Sequence, residues 1–246
     1  MTSTELATWA AALEERPPQE ILALAAERFA PRLTFATGFG REGCALVDMV
    51  ARFHLAVDLF TLDTGVLFPE TYALWSRLER HYGLTIRAVR PRFTLAEADQ
   101  VHRLWESDPD RCCELRKVTP LRAELSSFDA WVTAIRREQT PERAGARPVE
   151  WDAKFGLVKV NPLVRWTEAD LDAYLTRHGV PVNPLHAQGY PSIGCQPCTT
   201  KVAAGEDPRA GRWRGREKTE CGLHTRHAWA AAASPSPSSP PNPQEP

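Results

Sequence analysis

Apolar residues recur at helical spacing between Glu5 and Ala30 (Leu6, Trp9, Leu13, then Ile21, Leu22, Leu24 and Phe29), and Pro17-Pro18 divides the pattern. This predicts two helices over 1–30, with Pro31 closing the second. The period then changes. Leu33–Ala36 is a short apolar run, Thr37-Gly38-Phe39-Gly40-Arg41-Glu42-Gly43 follows, and Ala45, Leu46, Met49 and Val50 resume helical spacing. Strand, glycine-rich turn and helix are expected in that order. A second apolar run over 57–62 ends in Asp63-Thr64-Gly65, and Pro69-Glu70-Thr71 opens a helix carrying Tyr72, Leu74, Trp75 and Leu78.

Runs over 84–89, 130–135 and 157–160 read as further strands, with helices expected around 95–105 and 113–125. Thr167 and Asp170 have the spacing of a capping box for a helix running to about Arg177, and Gly179 and Pro181 end it. The alternation predicts an α/β fold, a doubly wound and mostly parallel sheet flanked by helices. The stretch from Ser234 onward is rich in proline and serine and too polar to offset its ordering entropy, so 229–246 is expected to be a disordered tail.

Composition narrows the class. The 246 residues are 43% hydrophobic, enough for one folded unit with a substantial core. No apolar run approaches the roughly twenty residues of a membrane span, and no basic and apolar leader opens the chain, so a cytoplasmic protein is expected. A net charge of −1 gives no global field for nucleic acid. The basicity is local: Arg209, Arg212, Arg214, Arg216 and Lys218 surround Trp213, a grouping suited to a small anion more than to a polymer.

The cysteines carry the chemistry. Cys112 and Cys113 are adjacent, a geometry that a mutual disulfide meets only with strain. Cys195 and Cys198 add a CxxC turn, and four thiolates are the ligand set of a closed zinc site or of an iron–sulfur cluster. Spacing does not choose between them. Cys221 stands apart between Lys218 and His224, where neighbouring cations raise thiolate reactivity, so it is the expected nucleophile. Cys44 falls on an apolar helix face and is expected in the core.

In doubly wound sheets ligands sit beyond the carboxyl ends of the strands, where 37–43 and 63–65 would meet. Gly38, Gly40 and Gly43 permit a backbone anion cradle. Asp63 has two readings, a ribose partner or a turn organiser. Arg136 and Arg137, at the end of the 130–135 run, are placed to pair with an anion. Lys117, four residues after Cys113, would share its helix face.

Together these segments resemble the assimilatory adenylyl-sulfate (APS) reductases, the cluster-bearing branch of the family that also holds the PAPS reductases. The carrying segments are Thr-Gly-Phe-Gly at 37–40, Leu-Asp-Thr-Gly at 62–65, Phe-Pro-Glu-Thr-Tyr at 68–72, Cys-Cys-Glu-Leu-Arg-Lys at 112–117 and Arg-Arg-Glu-Gln at 136–139. Asn-Pro-Leu at 161–163, Trp-Thr-Glu at 166–168, Ile-Gly-Cys-Gln-Pro-Cys-Thr at 193–199 and Glu-Cys-Gly-Leu-His at 220–224 complete the match.

The resemblance implies an adenine nucleotide alpha hydrolase-like fold and a 4Fe-4S cluster on Cys112, Cys113, Cys195 and Cys198. It implies attack by Cys221 on APS, with thioredoxin or a glutaredoxin-like dithiol as reductant, and a homo-oligomer. Substrate binding is implied for Gly38, Phe39, Gly40, Asp63, Thr64, Gly65, Lys117, Arg136, Arg137, Arg209, Arg212 and His224. Residues 31–200 would bind nucleotide and cluster, and 201–228 would form a mobile segment carrying the nucleophile. Two segments depart from the family pattern. Asp108-Pro109-Asp110-Arg111 replaces an acidic-Gly-His stretch, and Val66 replaces a basic residue. A PAPS-preferring or dual-specificity reductase, a zinc-stabilised nucleotide-binding module and an ATP pyrophosphatase-like ligase are the rival readings.

Overall fold

The computed structural model describes residues 1–93, 103–218 and 220–223. Helices α1 (Ser3–Leu13) and α2 (Pro18–Phe29) lead into β1 (Leu33–Ala36), α3 (Arg41–Arg52), β2 (Asp58–Leu62), α4 (Pro69–Tyr82) and β3 (Arg87–Val89). Then come α5 (Leu104–Ser107), α6 (Pro109–Cys113), α7 (Thr119–Leu125), β4 (Ala130–Val132), β5 (Val149–Asp152), β6 (Leu157–Val160) and α8 (Glu168–His178). The six strands form one sheet in the order β3-β2-β1-β4-β6-β5, parallel except for the edge pair β5 and β6. β1 thus lies between β2 and β4, the point where the connections change direction and a cleft opens beyond the strand ends.

Local signals set the elements. Thr2 caps α1 and Thr167 caps α8, each in a reciprocal capping box, and Gly179 ends α8 in the left-handed region. Phe35, Leu46, Met49, Val132, Val160 and Leu171 fill the main core, and a second cluster on the other face gathers Phe60, Leu121, Leu125, Trp131 and Leu157. Cys44 is buried in the main core as expected, and burial pushes its thiol up to about 12.

Three sequence expectations change. β5 has no sequence signal, because Val149-Glu150-Trp151-Asp152 puts only one apolar side chain inward on a sheet edge. The expected helix over 113–125 is interrupted by a π turn, Glu114–Val118, in which the Thr119 N–H reaches the Glu114 carbonyl. Pro120 explains the widening: its ring clashes with a carbonyl four residues back in a regular helix. β3 and β4 are shorter than expected. Most of the expected 95–105 helix and the whole 229–246 tail lie outside the described residues.

Asp48 ties three helices together from inside the core. Its carboxylate is fully buried and accepts hydrogen bonds from Tyr82 (2.9 Å), Tyr174 (2.6 Å) and Arg52 (2.9 Å). Burial alone would raise its pKa, but these donors outweigh it and hold the carboxyl below the usual range. The stability it contributes is therefore present above the unfolded-state value of about 3.9 and is lost as pH falls through the lower folded value. Asp48→Ala should cost about 3 kcal/mol in urea unfolding at pH 7, because two phenols and a guanidinium lose their acceptor. The gap from wild type should narrow at acid pH. A gap of equal size at pH 7 and well below pH 4 would contradict this assignment.

Candidate functional site

A cavity of about 810 Å³ opens at the carboxyl ends of β1, β2 and β4. Its floor is Thr37 to Glu42 after β1, Thr61, Leu62 and Thr64 at the end of β2, and Thr133 to Arg136 after β4. Lys117, Ile193 to Cys195, Arg209, Arg212, Trp213 and Cys221 close the opposite wall. The glycine turn is tightly made: Phe39 takes φ 58°, its N–H donates to Thr37 Oγ1 at 3.1 Å, and its ring stacks on Trp75. Gly40 caps α3 without a side-chain bond, so the first N–H groups of α3 open on the cavity side.

The cysteine turn is sewn to both walls. The Gln196 N–H donates to the Val66 carbonyl at 2.8 Å, and Thr64 Oγ1 lies 3.3 Å from Cys195 Sγ. The Trp213 N–H donates to the Cys198 carbonyl at 3.0 Å, and Thr199 bridges to Arg212. The Arg212 guanidinium lies against Gly194, where a Cβ would come within 2.2 Å of it, so a larger residue there would have to displace the guanidinium. Lys218 and Arg212 both pack on the Trp213 ring, 5.3 and 4.6 Å from its centroid.

All six cysteines are free thiols; Cys112, Cys113 and Cys195 are buried, while Cys198 and Cys221 are half-buried. Burial pushes Cys113 up to about 11 and also raises Cys112 and Cys198. Cys195 runs the other way: burial would raise it, but the Lys117 ammonium, the Thr64 hydroxyl and Arg212 hold it below its usual value. Lys117 shows the reverse balance, with burial opposed by Cys195, Cys221 and Cys113, and stays above the ordinary lysine range. Its ammonium therefore lies among thiols from α6, the cysteine turn and the C-terminal segment.

Polar atoms in this cavity lack partners. Arg143 Nε, His186 Nε2 and Arg212 Nε are buried with no hydrogen bond among the described residues, while the other His186 nitrogen meets the Tyr190 carbonyl at 3.0 Å. Burial holds His186 below its usual pKa and hence neutral near pH 7. A cavity lined by an unpaired guanidinium nitrogen, an open helix end and a lysine among thiols is made for an anionic, polar ligand.

Gly38, Phe39, Gly40, Thr64, Lys117, Arg136, Arg209, Arg212 and Cys221 line the cavity. Asp63 and Gly65 do not: the Asp63 carboxylate accepts from Tyr72 (2.7 Å), the Gly65 N–H (3.1 Å) and Arg90 (2.9 Å), which is the turn-organising reading. Arg136 is only 5% exposed and is held by Glu42, Glu138 and Glu168, so its charge is already matched by carboxylates. Arg137 points away, to Glu14 at the end of α1 at 2.6 Å and the Ala146 carbonyl, so it is an anchor for the N-terminal helices. His224 lies outside the described residues. Sequence reasoning passed over His186 and Arg143, which carry no motif spacing and meet the site only through the fold, and gave Glu42 of the glycine turn no role.

The phosphoadenosine phosphosulfate reductase domain family matches residues 32–201. A phosphoadenosine 5'-phosphosulfate reductase of Gloeobacter violaceus is 45% identical, covering 86% of this chain and 90% of the relative. Adenosine 5'-phosphosulfate reductases of Rhodococcus opacus (43% identical, covering 87% and 91%) and Bacillus subtilis (45%, covering 83% and 89%) are equally similar. Among solved structures, a PAPS reductase from Candida auris in a phosphate complex superposes with a TM-score of 0.71 at 32% identity, covering 82% of this chain and 98% of that one. Candida glabrata FMN adenylyltransferase, at 15% identity and a TM-score of 0.54, shares the fold alone.

Proposed function

The chain belongs to the phosphoadenosine phosphosulfate reductase family, and from that membership we propose that it reduces adenosine 5'-phosphosulfate to sulfite and AMP in sulfate assimilation. The observation that carries the reading is the meeting of Cys221, Lys117 and Arg212 in one cavity with the glycine turn. The Cys221 thiolate attacks the sulfur of APS; a sulfur–sulfur bond forms, the sulfur–oxygen bond to phosphate breaks, and AMP leaves with that electron pair. A thiolate of thioredoxin or a glutaredoxin-like dithiol then attacks the Cys221 sulfur, and sulfite departs with the sulfur–sulfur pair. The second thiol of the reductant closes a disulfide and frees Cys221. Covalent catalysis thus divides one difficult reduction into two exchanges.

The anion is met by Arg212, whose buried Nε awaits an acceptor, and by Lys117; Arg209 contributes charge at the rim. Gly38, Phe39, Gly40 and Thr64 frame the nucleotide end. His224 is assigned support of the thiolate on its place in the motif alone. Residues 201–228 act as the segment that carries the nucleophile over the substrate.

Cys112, Cys113, Cys195 and Cys198 would hold a 4Fe-4S cluster, which supplies fixed charge and a rigid scaffold beside the substrate. The residues fit such a group: Cys112 and Cys113 adjoin at the end of α6, Cys195 and Cys198 share one turn, Thr64 Oγ1 lies 3.3 Å from Cys195 Sγ, and Lys117 and Arg212 offset thiolate charge. Four thiolates would also suit a zinc ion, and the choice of the cluster rests on the family resemblance of the cysteine segments. No described helix is long and apolar enough to cross a membrane, and thiolate-held metal and free thiols suit a reducing, cytoplasmic setting.

APS is favoured over PAPS by the cysteine quartet and by the names of most of the similar relatives. Steady-state assays with thioredoxin should give the larger kcat/KM for APS. An equal or larger value for PAPS would move the reading to a PAPS or dual-specificity reductase.

A further inference from the structure

The peptide on each side of Cys221 is gripped by a cation from the body of the fold. On one side Arg143 donates to Glu220 Oε1 at 3.0 Å, with both side chains only 12% exposed, and Arg209 lies 3.1 Å from Glu220 Oε2. On the other side Lys154 Nζ donates to the Gly222 carbonyl. Arg143 ends a short 3₁₀ turn (Pro141–Arg143) beyond β4, and Lys154 sits in the turn between β5 and β6, so two separate parts of the sheet hold adjacent stretches of the C-terminal segment. Between them Gly222 takes φ 85°, which turns its carbonyl toward Lys154, and Leu223 packs against the cluster of Phe60, Leu121 and Trp131.

The arrangement has a chemical consequence. A thiolate attacking sulfur must approach in line, with reacting atoms about 3–3.5 Å apart. The chain at Cys221 has a flexible glycine after it and belongs to no helix or strand, so its own backbone cannot fix that approach. Building on Cys221 as the nucleophile, we propose that Arg143, through the Glu220 carboxylate, and Lys154, through the Gly222 carbonyl, are positioning residues that aim the Cys221 sulfur into the cavity. Lys154 lies outside the cavity, whereas Arg143 also lines it. Arg209 also touches both Glu220 and the cavity.

Single-turnover reaction with APS, without reductant, tests this by following the sulfonate adduct on Cys221 in wild type, Lys154→Met, Lys154→Arg and Arg143→Met. AMP affinity, iron content and thermal melting are measured on the same samples. Adduct formation should slow by about 10- to 100-fold in Lys154→Met and Arg143→Met. Iron should stay near wild type in both, AMP affinity should stay near wild type in Lys154→Met, and Lys154→Arg, which keeps the donor, should recover most of the rate. Wild-type adduct rates in both methionine variants would overturn the clamp, as would a parallel loss of AMP affinity in Lys154→Met, which would make Lys154 a nucleotide ligand. If the wild-type chain forms no adduct at all, the nucleophile reading itself fails and the clamp falls with it. Lys154→Arg, with its donor retained, separates a lost aim from a lost fold.

Discussion

Cys221→Ser should release no sulfite, with a fall in turnover on the order of 10⁴-fold or more, while still binding AMP as the wild type does. The hydroxyl has the shape of the thiol but is a poor nucleophile near pH 7 and cannot form the sulfur–sulfur bond that the second exchange must break. Other thiols do not replace it. Cys44 is sealed in the core, with its sulfur 3.7 Å from the Phe39 carbonyl. Cys112 and Cys113 are buried and do not line the cavity. Cys195 lines it but is committed to Thr64 and Lys117. A sulfite assay paired with AMP titration checks the prediction, and sulfite release by the serine variant would remove Cys221 from the chemistry.

Lys117→Met is expected to have the next largest effect, lowering kcat/KM by about 10²–10³-fold, the cost of removing one preorganised donor at a site of developing charge. The lysine sits within electrostatic reach of Cys195, Cys113 and Cys221, so one ammonium serves both the thiolate set and the nucleophile. Methionine keeps the length and apolar stem of the side chain, so the fold and the iron content should survive. Most of the loss should fall on kcat, because the charge on the leaving phosphate and on the transferred sulfonate grows as the bond breaks. Steady-state kinetics with parallel iron analysis checks this. A rise in KM alone, with kcat unchanged, would make Lys117 a ground-state anchor instead.

Much of the fold was legible because burial on both faces of a parallel strand writes a continuous apolar run, as in β1, β2 and β6, and because Pro18, Pro69, Thr167 and Gly179 mark helix ends by their own chemistry. The edge strand β5 leaves no such mark. Its partner is a neighbour across a turn, and only Val149 of its four residues is buried. The cysteine quartet and Cys221 stood out because their chemistry depends on residue type and short spacing. The arginines were harder. Nothing near Arg136 in sequence announces that Glu42 and Glu168 will converge on it, or that Arg137 will turn to Glu14 at the end of the first helix. Arg136 is extended and Arg137 opens a 3₁₀ turn, so one arginine faces the cavity wall and the other the N-terminal helices. His186, Arg143 and Lys154 became visible only with the fold, since each meets the site from a loop whose position depends on the whole sheet.

The most direct measurement is the mass of the protein after it reacts with APS in the absence of any dithiol. The account predicts AMP released in a single burst, up to one per chain, and a mass gain of one SO₃ that peptide mapping places on Cys221; added thioredoxin should remove it and release sulfite. An AMP-free reaction, or an adduct on any other residue, would contradict the central claim that Cys221 carries the sulfur between nucleotide and reductant.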